Sequence, residues 1–197
     1  TKRALRGETI AFSGNTDCYQ PLEASYALTR RCLELCLAHR QRIGIITGLM
    51  EITSAGERLE GYKSALTDHN IAFDPDLVAI GDFWQPSAYQ AALDLMSLKN
   101  PPTAIFASND LSAFGAMEAV RESGLRIPED VSIIGFDDVP QAALVHPKLT
   151  TVRQPLDQIG RVAVRMLLEQ IDNPGHPPRR VTLATRLVVR DSCASRP

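Results

Sequence analysis

The sequence predicts an α/β fold in which helices cover both faces of a parallel sheet. Short, almost continuously apolar runs alternate with stretches of helical periodicity, a pattern typical of parallel strands buried on both faces. Glycine, asparagine and proline stand between the runs, where turns and helix ends need them. With 197 residues, of which 44% are hydrophobic and 22% charged, the chain can bury a substantial core.

The first strand and helix are predicted from residue 42 onward. Residues 42–48 form a short apolar run bounded by glycine and predict a buried strand. Ser54 and Glu57 have the spacing of a capping box, which predicts that the next helix begins there. Apolar residues at helical spacing continue this helix to about residues 69–70.

The helix after the third strand has a signal at each end. Asn109 is a good N-cap, Gly124 suits the position after a helix, and Pro128 prevents the helix from resuming. The other elements predicted for this central part are strands at residues 77–80, 103–107 and 131–136 and a helix at residues 89–98.

The flanks add two amphipathic helices. Residues 22–38 predict one of them, and Pro155 opens the other, in which apolar residues recur at helical spacing as far as Ile171. The remaining predictions are a strand at residues 9–12, a loop at residues 173–178 and one or two strands within residues 181–189.

The charge and the cysteines exclude several classes of protein. The net charge is −2 and no basic stripe is visible, so we expect these residues not to grip DNA themselves. No apolar run approaches the roughly 18 residues that cross a membrane. Four cysteines are too few for a disulfide scaffold. Cys32, Cys36 and His39 share a helix face, but a fourth ligand is missing and cysteines commonly pack in cores, so we expect no metal.

Polar and aromatic side chains follow the predicted strands at the point where each strand ends. In a parallel sheet these ends meet at one edge, where ligands bind. The residues there are Arg58 after the first strand, Phe83 and Trp84 after the second, Asn109 after the third, and Asp137 and Asp138 after the fourth. Such polar groups form paired hydrogen bonds to neighbouring hydroxyls, and an aromatic ring covers an apolar sugar face. The set predicts a site for a sugar or polyol.

Each of these residues also has a purely structural explanation. The alternatives are a helix cap for Asn109, a turn for Asp137 and Asp138, core packing for Phe83 and Trp84, and a solvated ion pair with Glu57 or Glu60 for Arg58. Consecutive residues of an extended chain point to opposite sides, so we expect Asp137 rather than Asp138 to face a ligand.

Catalysis has little support in the sequence. The chain contains no phosphate-binding G-x-x-x-x-G-K-[ST], no G-x-G-x-x-G after a strand and no G-x-S-x-G elbow. His69 and His146 have no serine or cysteine placed to make them a base. We therefore expect no catalytic residue and no cofactor.

Four motifs resemble the LacI/GalR family of transcription regulators. Residues 107–138 read ASNDLSAFGAMEAVRESGLRIPEDVSIIGFDD, similar to the most characteristic segment of that family. Residues 147–155 read PKLTTVRQP, which resembles the family's P-x-L-T-T-V-x-Q-P. RLEGY at residues 58–62 and LVVRDS at residues 187–192 resemble its R-L-x-G-[YFW] motif and its usual terminus. The resemblance extends from about residue 22 to residue 193.

The resemblance implies a periplasmic-binding-protein-like core of two parallel-sheet subdomains, joined by a hinge around a small-molecule cleft. Residues 1–41 and 155–183 would form an incomplete N-terminal subdomain, and residues 42–154 and 184–197 the C-terminal one. The family's helix-turn-helix and the start of its core are absent from this sequence. By family position, the effector would contact Arg58, Phe83, Asn109, Asp137 and Gln154, with Trp84 and Tyr26 as further candidates. Tyr26 lies in EASYA at residues 23–27, where the family has D-N-x-x-G.

The function implied by the resemblance is that of a cytoplasmic, homodimeric transcription regulator, most often a repressor, whose effector is a sugar or sugar derivative. Operator DNA would be bound only through the helix-turn-helix, and no membrane is involved. An extracytoplasmic sugar-binding protein of a transporter is the alternative, because it shares this fold. The T-T-V-x-Q-P motif favours the regulator.

Overall fold

A computed structural model describes residues 42–175, 177 and 179–194 of the chain. The strands in these ranges are β1 (Ile43–Ile46), β2 (Val78–Ala79), β3 (Ala104–Ala107), β4 (Ser132–Asp137), β5 (Thr150–Arg153) and β6 (Arg186–Val188). The helices are α1 (Thr53–Asp68), α2 (Gln85–Met96), α3 (Asp110–Glu122) and α4 (Leu156–Asp172), with short 3₁₀ turns at Pro75–Leu77 and Pro140–Ala143. The predictions for residues 9–12 and 22–38, including Tyr26, Cys32 and Cys36, and for His39, lie outside the described residues.

The strands form one sheet in the order β2-β1-β3-β4-β5-β6. Strands β1 to β5 are parallel to their neighbours, and β6 runs antiparallel to β5 at the edge. Helices α1, α2 and α3 follow β1, β2 and β3, as the alternation in the sequence predicts. The predicted α/β class is confirmed.

Two hydrophobic clusters cover the two faces of the sheet. Side chains alternate along β1, so that Ile45 packs with Tyr62 of α1, whereas Ile46 belongs to the cluster that includes α2 and α3. Every residue of β1 and β3 is buried, as expected for central strands covered on both faces. Helices α2 and α3 approach so closely that a Cβ atom at Gly115 would overlap the Gln85 carbonyl, and this contact requires glycine.

Both ends of α3 confirm the sequence prediction. Asn109 is the N-cap, and its Oδ1 accepts a hydrogen bond from the Ser112 backbone N–H at 2.8 Å. The helix ends at Glu122, and Gly124 has a φ of +75°, in the left-handed region that favours glycine.

The capping box predicted at Ser54 and Glu57 is wrong. Helix α1 begins at Thr53, and its N-cap is Ile52, whose side chain makes no cap hydrogen bond. Ser54 is instead buried within the first helical turn. The N-cap residue of this helix thus supplies no polar side chain to its first turn.

The other differences concern element lengths and one additional strand. Helix α2 begins at Gln85, ahead of the predicted start at residue 89, because the proline in its first turn needs no partner for an N–H. Strand β6 occupies only part of the residues 181–189 predicted as strand. Residues 147–155, which carry a family motif and for which the sequence predicts no strand, contain β5, whose residues Thr150, Thr151 and Val152 are buried.

Helix α4 forms where the sequence predicts it and exposes its apolar stripe. Within the described part of the chain, α4 has no buried side chain, and Val164 and Leu168 are 57% and 56% exposed. A stripe of this kind normally packs against another element. Among the helices of the described ranges, none combines the length and the apolar character that crossing a bilayer requires.

Candidate ligand-binding site

The five site residues expected from the resemblance all lie at the carboxyl ends of parallel strands. Arg58 is on α1, which follows β1, and Phe83 is in the loop after β2. Asn109 caps the helix after β3, Asp137 ends β4, and Gln154 follows β5 directly. A continuous series of contacts connects them.

Arg58 occupies a buried position between two aromatic rings. Its side chain is on α1, and the residue is only 7% exposed. The guanidinium carbon lies 4.3 Å from the centre of the Phe136 ring and 5.9 Å from that of Phe83, within the range of cation–π attraction. The alternative of a solvated surface arginine is therefore wrong.

Phe83 is held over the end of β1 by its unusual backbone and by Asn109. Its φ is +72°, and its ring occupies the space that a Cβ atom at Gly48 would need. The Asn109 Nδ2 donates a hydrogen bond to the Phe83 carbonyl at 2.9 Å. Asn109 therefore caps α3 and also fixes the loop that holds the aromatic ring, so a cap alone does not describe its role.

Gln154, which is buried, and Asp137, which is half-buried, form a polar pair. The Gln154 Nε2 donates a hydrogen bond to Asp137 Oδ1 at 2.5 Å, and Gln154 is 4% exposed. Burial raises the pKa of the Asp137 carboxyl above its ordinary value, and the Arg58 guanidinium and the Gln154 amide counter only part of that rise. Among the described residues, the buried Gln154 Oε1 has no hydrogen-bond partner. An acceptor left in this way normally has a bound donor.

Asp138 forms ion pairs outside this series of contacts. Its carboxylate accepts hydrogen bonds from Arg153 and, at 2.6 Å, from the Arg190 Nη2. Burial acts to raise the pKa of Asp138, but the bonds from Arg190 and Arg153 outweigh it and lower the pKa below its ordinary value. Asp137 and Asp138 have φ values of 118° and 61°, so a left-handed turn, and not the alternation of an extended strand, separates their side chains.

Trp84 and Tyr26, the two further candidates, stay predictions. Trp84 is 65% exposed, so the alternative of core packing is wrong for this residue, whereas Phe83 is half-buried. The Trp84 backbone N–H donates to Asp82 Oδ1 at 2.9 Å, at the start of α2. Tyr26 lies outside the described residues.

Two residues next to the site were missed by the sequence analysis. Phe136 was included in the apolar run of β4, although its position just before Asp137 could have indicated a ring at the strand end. Asp110 was passed over as the residue after an N-cap. Its carboxyl is fully buried beside the site, and no apolar pattern reveals that.

The arrangement can bind a polar ligand. It presents a planar cation, a carboxylate, two carboxamides and an aromatic ring at one edge of the sheet. The polar groups suit adjacent hydroxyls of a ligand, and the aromatic ring suits an apolar face of the same ligand. Within the described ranges, no group of three or more histidine, cysteine, aspartate or glutamate side chains is placed to hold a metal ion.

An open parallel sheet with such a site at its strand ends is the architecture of a periplasmic-binding-protein-like domain. The sequence model of the family described as "periplasmic binding protein-like domain" matches residues 34–193. The chain belongs to this family. Within it, the similar proteins identify the chain as a LacI-family effector-binding core.

Three relatives illustrate the similarity. The HTH-type transcriptional repressor PurR of Aliivibrio salmonicida is 35% identical over 170 residues, which cover 86% of this chain and 50% of PurR. The solved complex of the transcriptional regulator CelR with cellobiose is 35% identical, with a TM-score of 0.79, and the match covers 88% of this chain and 52% of CelR. A LacI-family transcriptional regulator from Enterococcus faecium with bound ribose is 29% identical, with a TM-score of 0.80, over 87% of this chain and 64% of its own. The chain spans about half the length of the curated relatives it matches.

Proposed function

We propose that this chain is the ligand-sensing part of a LacI-type transcription regulator and that a sugar or sugar derivative binds at the carboxyl edge of its sheet. The observation that carries the proposal is the series of contacts from Phe83 and Asn109 through Arg58 to Asp137 and Gln154. Each of these residues comes from a different strand end, so only the folded sheet assembles them.

The chemistry of the pair formed by Asp137 and Gln154 favours a ligand that donates hydrogen bonds. Asp137 Oδ1 is already bonded to Gln154, whereas Gln154 Oε1 is buried and, within the described ranges, without a partner. A ligand hydroxyl that donates to Gln154 Oε1 would satisfy that acceptor. Arg58, held by the Phe136 ring, supplies donors, and the Phe83 ring covers an apolar face. A pyranose or furanose ring offers all of these features.

The relatives support regulation rather than transport. PurR and CelR are named as transcription regulators, and the solved structures include one complex with cellobiose and one with ribose. The transporter-binding alternative is not favoured by any of them. We propose that the chain has no catalytic role, that a helix-turn-helix in the full-length regulator binds operator DNA, and that the regulator is a repressor and a cytoplasmic homodimer. The division into residues 42–154 with 184–197 and residues 1–41 with 155–183 is part of the same proposal.

A binding screen tests this function. Thermal unfolding of the 197-residue chain is followed with a panel of pentoses, hexoses, disaccharides and sugar acids that includes D-ribose and cellobiose, and each stabilising compound is then titrated by calorimetry. We expect at least one panel member to raise the unfolding temperature, because a ligand that binds only the folded state stabilises it.

The matched variants are Gln154→Leu, which removes the buried acceptor, and Lys63→Ala, which removes an exposed cation of α1 that pairs with Glu60. The stabilisation should be lost in Gln154→Leu and kept in Lys63→Ala. Stabilisation that survives in Gln154→Leu would place the sugar elsewhere, and the absence of any stabilising sugar would exclude the proposed ligand class for this chain.

A further inference from the structure

The Asp110 carboxylate joins three elements next to the candidate site. Asp110 is the first residue of α3, and its side chain is fully buried. Its Oδ2 accepts a hydrogen bond from the Val139 backbone N–H at 2.8 Å, and its Oδ1 accepts one from the Thr151 hydroxyl at 2.5 Å. One carboxylate thereby connects α3 to the segment after β4 and to β5.

The fold provides room for this carboxylate at Gly135. A Cβ atom at this position of β4 would overlap Asp110 Oδ1, so glycine allows the carboxylate to reach the sheet. A buried carboxylate is costly unless hydrogen bonds satisfy it, and both of its oxygens are bonded here. Both bonds lead away from α3. An acidic residue that only stabilised the helix N-terminus would need neither of them.

The turn that Asp110 holds begins with two residues of positive φ, the last residue of β4 and the one after it. Asp137 and Asp138 have φ values of 118° and 61°, and such conformations are strained for residues other than glycine. They persist only where surrounding contacts determine them. Arg190 and Arg153 bind the Asp138 side chain, and Asp110 binds the next backbone N–H, that of Val139. The turn is therefore held at Asp138 and at the residue that follows it.

We propose that Asp110 is a positioning residue: by holding the Val139 N–H, it fixes the turn after β4 and directs the Asp137 carboxylate toward Gln154 and Arg58. The importance of this position for ligand binding rests on the proposed function. The positioning itself concerns the unliganded chain and can be measured without any sugar.

The hydrogen-bond geometry predicts different effects for Asp110→Asn and Asp110→Ala. In Asp110→Asn, the side-chain carbonyl can still accept from Val139, and the amide group can donate to the Thr151 hydroxyl, which accepts as well as donates. In Asp110→Ala, both bonds are lost and the Val139 N–H is released. Asparagine should therefore preserve the turn, and alanine should not.

The test uses nuclear magnetic resonance on the unliganded 197-residue chain. Two signals are followed: hydrogen exchange of the Val139 backbone amide, and the side-chain amide of Gln154, whose shift reports its bond to Asp137. Ser192→Ala is the matched control. Ser192 is also fully buried, and its Oγ bonds to the Thr150 N–H at 2.8 Å and to the Ile133 carbonyl at 2.6 Å, toward the amino ends of β4 and β5.

In Asp110→Ala, Val139 should exchange about tenfold faster than in Ser192→Ala, in line with the loss of about one hydrogen bond, and the Gln154 signal should move. Asp110→Asn should restore both signals. Unchanged signals in Asp110→Ala, or equal changes in Asp110→Ala and Ser192→Ala, would overturn the proposal. If Asp110→Ala does not fold, Thr151→Val is used in its place, because it removes the hydrogen bond that Asp110 Oδ1 accepts. Both signals should then move in the same direction as expected for Asp110→Ala. Unchanged signals in Thr151→Val would overturn the proposal.

The affinity for D-ribose and cellobiose is measured in the same variants. It distinguishes a failure of the positioning proposal from a failure of the proposed sugar ligand. If neither of these sugars nor any other member of the panel binds the unaltered chain while both signals respond to Asp110→Ala, the positioning stands and the sugar ligand is rejected. If a sugar binds, its affinity should fall in Asp110→Ala and recover in Asp110→Asn, whereas an affinity insensitive to Asp110→Ala would overturn the positioning.

Discussion

Phe136 and Asp137 are consecutive residues of β4, and both act on the Arg58 guanidinium. The Phe136 ring lies 4.3 Å from the guanidinium carbon, and the Asp137 carboxylate is close enough for its pKa to be lowered by the Arg58 charge, against the larger effect of burial. A strand end thus supplies a ring and a carboxylate that hold the same arginine. Because Arg58 is held in this way before any ligand arrives, little side-chain freedom is lost when a ligand binds.

Replacement of Arg58 by alanine should weaken sugar binding by about 1.5–3 kcal/mol, which corresponds to roughly 10- to 150-fold, because a charge-assisted hydrogen bond is lost. Calorimetry with the tightest-binding sugar of the panel measures this. Lys63→Ala, on the exposed face of the same helix, should leave the affinity unchanged. Equal affinities of Arg58→Ala and the unaltered chain would remove Arg58 from the site.

Asp137→Asn should reduce ligand affinity more than Asp138→Asn does. Asp137 contacts Gln154 and lies beside Arg58, whereas Asp138 is occupied by Arg190 and Arg153. Asp138→Asn should act mainly on the free energy of unfolding, since it leaves a partly buried arginine pair without its carboxylate. Titration at a temperature where both variants are folded separates the two effects. A larger affinity loss in Asp138→Asn would show that the ligand-facing carboxylate has been assigned to the wrong residue.

The stability of the chain should fall as pH rises toward neutrality, owing to Asp110. Burial raises the pKa of the Asp110 carboxyl from its ordinary value to about 7, against the hydrogen bonds from Thr151 and Val139. The folded state therefore binds this proton more tightly than the unfolded state. The resulting stabilisation is complete below the unfolded pKa and is lost as pH rises through about 7.

Urea unfolding at pH 5 and pH 8 checks this dependence. Between these values the unaltered chain should lose about 2–3 kcal/mol relative to Asp110→Asn, because each pKa unit of difference between the two states corresponds to about 1.4 kcal/mol. Asp137 has a raised pKa in both proteins, so its contribution cancels in the comparison. Parallel pH profiles for the two proteins would contradict the assignment to Asp110.

Amide hydrogen exchange should be faster in α4 than in α3. Helix α3 buries residues along most of its length, whereas α4 has no buried side chain in the described part of the chain. Helices without tertiary packing are only marginally stable in water. Mass spectrometry of peptides covering Leu156–Asp172 and Asp110–Glu122 measures the difference. Equal and high protection of both helices in a monomer would mean that the chain covers the α4 stripe itself.

Specific DNA binding by residues 1–197 alone should be undetectable at physiological salt. The net charge is −2, so the attraction to phosphates that supplies most non-specific affinity is missing. Fluorescence anisotropy with a duplex from the promoter of the chain's own gene, and with a scrambled duplex as control, tests this. A sequence-selective rise in anisotropy would show that these residues contain a DNA-reading surface.

The sequence predicts a polar N-cap for both α3 and α1, and only the prediction for α3 is confirmed. At α3, Asn109 bonds the Ser112 N–H and Gly124 takes the left-handed conformation, so the chemistry visible in the sequence is the chemistry that ends the helix. At α1, Ser54 and Glu57 have the spacing of a capping box, but Ser54 is buried inside the first turn of the helix. Burial depends on what packs against that turn, and a short pattern contains no information about this.

The residues in and next to the site likewise divide into those that the sequence predicts and those that it does not. Arg58 and Asn109 could be predicted because the ends of parallel strands converge, so order along the chain determines their neighbourhood. Asp110 could not, because its buried position depends on Gly135 and Thr151, which come from two other strands. Contacts across distant segments are a property of the packed sheet.

The pairing of β5 with β6 makes the sheet separable from the stretch that contains α4. Arg153 lies opposite Arg186 in the antiparallel register, so residues 154–185 leave the sheet and re-enter it at adjacent positions. In topological terms, β5 and β6 form an antiparallel hairpin, and residues 154–185 are an insertion between its two strands. A short turn between Arg153 and Arg186 would preserve strand order, direction and register throughout the sheet. We therefore expect excision or exchange of that insert to leave the sheet intact, although it removes Gln154 from the candidate site.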